Sequence, residues 1–153
     1  MSVTNGIAGI SPFDSCIFIY SLEGNPAYVE MADEVFEWLE RAPHTAVTST
    51  MTMTELLVAP YREGNMALVG RYFALLSQYP HLEWIAPDLA IADNAARLRA
   101  RHKLRTPDAI QVATAIQGGA GAMITNDPGM CRVEAMEFCL FDDYRQTGVR
   151  PQK

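Results

Sequence analysis

The chain has 153 residues, 49% of them hydrophobic and 20% charged, which suits one globular domain with a real core and excludes a disordered or low-complexity protein. Twelve basic against eighteen acidic residues leave a net charge of −6, which by its sum alone argues against a general binder of nucleic acid or anionic membranes. Cys16, Cys131 and Cys139 form neither a disulfide framework nor a zinc-ligand spacing; no secretory signal opens the chain and no apolar run spans a bilayer, so a cytoplasmic protein is expected.

Strands and helices alternate along the chain. Residues 7–13 form a short apolar strand, followed by a helix over 15–23 that closes at Gly24 and Pro26. Residues 26–41 form an amphipathic helix with Val29, Ala32, Val35, Phe36 and Leu39 on one face and five acids between Glu30 and Glu40. A strand is predicted at 45–49 and a very apolar helical pair at 51–62 and 66–79. A third strand at 82–86 precedes helices at 88–103 and 106–117, the second ended by Gly118 and Gly119. Strands at 122–125 and 135–141 complete the pattern. Such alternation predicts an α/β, three-layer fold in one domain over 1–153, with a mostly parallel central sheet and helices on both faces. Ligands of such sheets bind beyond the carboxyl ends of the strands, where the strand order reverses.

Acids stand at those places. Asp14 follows the first strand, Glu55 lies in the helix after the second, Asp108 in the first turn of a helix opened by Thr106-Pro107, and Asp127 after the fourth strand. Each has a purely structural account. Asp14 suits a helix N-cap, and Thr52 to Glu55 matches a capping box. Asp108 suits a helix N-terminus and Asp127-Pro128 a turn. Taken together, four carboxylates on one rim repel one another, and a hard divalent cation with oxygen ligands relieves the repulsion. Such an ion also activates water and offsets charge on a phosphoryl oxygen, which points to phosphodiester hydrolysis.

The segments FDSCIFIYSLEGNP (13–26), TSTMTMTELL (48–57), LRTPDAIQVATAI (104–116) and AMITND (122–127) resemble those of the PIN-domain ribonucleases, in particular the VapC-type toxins of toxin–antitoxin pairs. The third segment is the most specific, and order and spacing agree over about residues 10–143. Cys16 stands where the family commonly has asparagine or another small residue. The resemblance implies a PIN-like fold and a Mg²⁺- or Mn²⁺-dependent endoribonuclease leaving a 5′-phosphate and a 3′-hydroxyl. It implies that Asp14, Asp108 and Asp127 hold the metal and that Glu55 positions the attacking water or a second ion. It further implies a homodimer and a cognate antitoxin at the Met-rich helical pair; with no apolar run long enough to span a bilayer, no membrane partner is expected. Ser15, Thr125 and Asn126 are candidates for orienting the acids, with ordinary capping as the alternative.

Arg97, Arg99, Arg101, Lys103 and Arg105 lie directly before Asp108. They read either as a phosphate-contacting edge, with Arg97, Arg101 and Arg105 as RNA contacts, or as a helix C-terminus that favours cations. A catalytically silent PIN-like module that binds RNA or protein is the competing reading of the whole chain.

Overall fold

The computed structural model describes residues 10–41 and 43–143. Among these described residues, five strands and six α-helices run in the order β1 (Ile10–Pro12), α1 (Ser15–Leu22), α2 (Val29–Glu40), β2 (Thr45–Ser49), α3 (Thr50–Arg62), α4 (Met66–Ser77), β3 (Leu82–Ile85), α5 (Leu89–His102), α6 (Thr106–Gln117), β4 (Ala122–Thr125) and β5 (Glu137–Leu140). A 3₁₀ turn at Met130–Arg132 precedes β5. Residues 7–9 of the first predicted strand lie outside the described residues. The amphipathic helix begins at Val29, not at 26, because Asn25 folds the chain before it: its side chain accepts from the Ala27 amide at 2.9 Å.

Every strand pair is parallel. β1, β2 and β3 pair in that order, and β4 pairs with β5. A parallel bridge between Phe13 and Ile124 joins the two groups, and the Asp14 amide donates to the Ile124 carbonyl at 3.3 Å. The spatial order is therefore β3-β2-β1-β4-β5. The chain leaves β1 toward β2 and later returns to its other side as β4, so the order reverses between β1 and β4. That is the crevice where open parallel sheets bind ligands.

Alternation along the strands builds two cores. Ile124 joins Phe13, Phe18, Val35, Phe36, Leu39, Leu56 and Leu76 under α1–α4. Its neighbour Met123 faces the other way, into Ile91, Leu98, Val112 and Met130 under α5 and α6. Val47 lies 3.1 Å from where a Cβ on Gly118 would stand, so α6 ends hard against β2. Helices thus cover both faces, as the alternation predicts.

The α5–α6 junction sets the position of Asp108. Lys103 takes the left-handed conformation (φ 57°) and its amide bonds to the Arg99 carbonyl, which stops α5. The Arg99 guanidinium donates to the Leu104 carbonyl at 3.2 Å and holds the reversal.

Candidate active site

Asp14 caps α1. Its carboxylate accepts from the Ser15 amide at 2.7 Å, satisfying an orphan donor of the helix start, and from the Thr125 hydroxyl at 2.6 Å. The structural and functional accounts of this acid hold together: the cap fixes one oxygen, β4 fixes the other, and only 6% of the residue is exposed. Burial raises its carboxyl above the ordinary value, the Thr125 and Ser15 bonds oppose the rise, and the nearby Asp108 charge adds to it.

Glu55 does not belong to a capping box. The N-cap of α3 is Ser49, whose side chain accepts from the Met51 amide, so the helix begins earlier than 51 and Thr52 lies inside it. Glu55 then projects toward the other acids. Burial raises its carboxyl; the Ser15 hydroxyl bond lowers it, Asp14 and Asp108 raise it, and Arg105 lowers it. Ser15 thus serves two acids, with its hydroxyl 3.4 Å from Asp14 as well.

Asp108 lies in the first turn of α6 and pairs with Arg105 at 2.8 Å. Asp127 forms a turn after β4: its side chain accepts from the Gly129 amide at 2.8 Å, and its own amide donates to Thr125 at 3.1 Å. Thr125 therefore ties Asp14 and Asp127 together through one buried hydroxyl. Arg105 reaches Asp127 as well, at 3.6 Å. The structure gathers all four predicted acids at one rim, at the crossover between β1 and β4.

The remaining predicted residues divide. The Asn126 amide donates to the Tyr20 hydroxyl at 3.0 Å and its carbonyl accepts from the Asp142 amide, so it fastens β4 to α1 and to the segment after β5. Arg97 pairs with Asp93 at 2.9 Å and, with Arg101, His102, Ile116 and Val133, lines a separate groove; only Arg105 stands among the acids. Cys16 packs against the core beneath α1, and burial and the Asp14 charge push its thiol well up, away from a nucleophile.

Sequence reasoning overlooked a buried polar chain. The Gln111 amide donates to the Thr52 hydroxyl, Thr52 lies 2.8 Å from Thr48, and Thr48 donates to the Phe13 carbonyl at 3.0 Å. Because Thr48 spends its proton on Phe13, Thr52 donates to Thr48, and the chain runs one way. It links the elements that carry Asp108, Glu55 and Asp14. Gln111 three residues after Asp108, polar within an apolar stretch, is the signal that marks it.

Four carboxylates offer only hard oxygen donors, and burial and mutual repulsion hold two of them above their ordinary range, a demand for positive charge that Mg²⁺ or Mn²⁺ meets. Among the described residues no three acid, histidine or cysteine side chains stand close enough to form a finished cage, and the Arg105 guanidinium lies between Asp108 and Asp127. The donor chemistry of the four carboxylates fits such an ion.

The family model described as PIN domain matches residues 13–136. A chain of a toxin–antitoxin complex from Klebsiella pneumoniae aligns with 25% identity and a TM-score of 0.63, covering 82% of this chain and 94% of that one. VapBC-1 from nontypeable Haemophilus influenzae aligns at 17% identity and TM-score 0.65, covering 87% and 98%. FitAcB from Neisseria gonorrhoeae aligns at 18% and 0.59, covering 84% and 95%; these last two likenesses are of fold. No curated protein matches the chain significantly. The family match spans all four acids, and the chain belongs to the PIN domain family.

Proposed function

We propose that this protein is a Mg²⁺- or Mn²⁺-dependent endoribonuclease of the cytoplasm and the toxin of a toxin–antitoxin pair. The observation that carries the reading is the convergence of Asp14, Glu55, Asp108 and Asp127 at the β1/β4 crossover, with Thr125 bonded to two of them. Asp14, Asp108 and Asp127 would hold the ion. When bound, it supplies a Lewis acid for a phosphoryl oxygen and an acidified water. Thr125 and Ser15 fix the two Asp14 oxygens, so that this carboxylate presents one geometry. Glu55, held above its ordinary range and reached by the Ser15 hydroxyl, orients a water for in-line attack and accepts its proton. Cleavage then leaves a 5′-phosphate and a 3′-hydroxyl.

The partner reading rests on the α3–α4 face. Val58, Tyr61 and Phe73 are exposed there, around an open groove of about 880 Å³ floored by Met53, Leu57 and Trp84, and Met66 is exposed at the start of α4. Exposed apolar surface of this kind marks protein contact. The toxin–antitoxin assemblies among the structural neighbours support an antitoxin as one partner, and the same exposed apolar face suits a second copy of the chain as another.

The test is cleavage of single-stranded RNA by protein freed of any co-purified antitoxin, with Mg²⁺, Mn²⁺ or EDTA. Cleavage that needs the ion and disappears in Asp14→Asn and Asp108→Asn supports the enzyme. RNA binding by folded protein without cleavage in either metal would establish the silent binding module instead.

A further inference from the structure

Arg105 is placed against local preference. It occupies the N-cap of α6, where Ser, Thr, Asp or Asn would accept a helix amide, and its side chain caps nothing. Its positive charge also sits at the positive end of a helix dipole. Residues that break a local rule are expected at functional or strained sites. Its partners name the site: Asp108 at 2.8 Å and Asp127 at 3.6 Å, with Glu55 also feeling its charge. Arg97, Arg101 and His102, on the preceding helix, face a different groove and lend it no help.

Resting on the reading of these acids as a divalent-metal site, we infer that Arg105 is a built-in counter-ion that occupies the metal's place between Asp108 and Asp127 and is displaced when the ion binds. It thereby sets the metal concentration at which the site loads. A guanidinium bridges two carboxylates but supplies no Lewis acid, so the arginine-bridged site is folded, partly neutralised and idle. The side chain is long and 77% exposed, so it can swing out without disturbing the core.

Competition has a definite sign. Displacing an exposed ion pair penalises metal binding modestly, so Arg105→Gln is expected to bind Mn²⁺ about three- to tenfold more tightly in calorimetric titration. Arg105→Lys keeps the charge but loses the fork and is expected to fall between. The metal-induced rise in melting temperature should grow in the same order, from wild type through Lys to Gln, with no substrate present. Unchanged or weaker Mn²⁺ binding in Arg105→Gln overturns the inference, weaker binding showing instead that Arg105 orients the ligands. Absence of Mn²⁺ binding in wild type and variants alike overturns the metal reading together with it. Asp108→Asn separates the two, because it weakens Mn²⁺ binding if the metal reading holds, whatever Arg105 does.

Discussion

Replacing Thr125 with valine removes one oxygen and almost no volume. That oxygen donates to Asp14 at 2.6 Å and accepts from the Asp127 amide at 3.1 Å, in a side chain with no exposed surface. A hydrogen bond to a charged group contributes about 1.5–3 kcal/mol, and leaving the Asp127 amide short of an acceptor adds to the loss. The expected destabilisation is about 3 kcal/mol at pH 7, a fall in Tm of about 6–12 °C for a chain of this size. Thr125→Ser keeps the hydroxyl and is expected to cost only about 1 kcal/mol for its lost methyl. The deficit of the valine variant should depend on pH. The Thr125 bond favours ionised Asp14, whose folded pKa lies above 3.8. Below that pKa both proteins hold a neutral carboxyl and the charge-assisted part of the bond is absent from each. As pH rises through it, only the wild type stabilises the charge, so the deficit grows toward neutrality. Thermal melts of the three proteins between pH 4 and 8, without metal, read this directly. A valine variant as stable as the serine one, or a deficit that shrinks with pH, would refute the assignment of Thr125 as the support of an ionised Asp14.

Three other outcomes follow from the same geometry. Asp14→Asn is expected to abolish cleavage yet raise the stability of the metal-free protein at pH 7 by about 1 kcal/mol; the folded pKa of Asp14 is raised, so its contribution is lost as pH rises from 3.8 through the folded value, and the gain should vanish in acid. Calorimetry showing the asparagine variant less stable at neutral pH would contradict the burial argument. Gln111→Leu leaves Thr52 without its donor; stability should fall by about 1 kcal/mol while metal-dependent cleavage falls further than the folded fraction does, as circular dichroism and kinetics together would show. Phe73→Glu, on the exposed α3–α4 face, should leave RNA cleavage intact and reduce self-association in sedimentation; unchanged assembly would remove that face from the partner reading.

The fold was legible where periodicity and punctuation agree. β2 and β4 stand at 45–49 and 122–125 as read, because short apolar runs bounded by turn residues have few alternative placements. α6 was equally plain between Thr106-Pro107 and Gly118. The start of α3 was not. Ser49 and Thr52 are both competent caps, and only the strand register, which ends β2 at Ser49, decides between them. That choice frees Glu55 from a capping role and turns it toward the rim. Asp14, Asp108 and Asp127 were legible because each stands beside an element boundary that the sequence marks; Glu55 lies inside α3.

What local pattern cannot reveal is which charges meet. The run from Arg97 to Arg105 reads as one basic edge, but alternate residues on a helix point apart, and the left-handed turn at Lys103 ends the helix before Arg105. The structure therefore divides the run between a groove on α5 and the acidic rim. The same division changes the meaning of the net charge of −6. Part of that excess is gathered at one rim, where a single arginine is too little to balance four carboxylates, two of them held above their ordinary range. A protein that folded only for stability would neutralise such a cluster or disperse it. Retaining it, with one displaceable cation in place, is the arrangement expected of a site that waits for a stronger one.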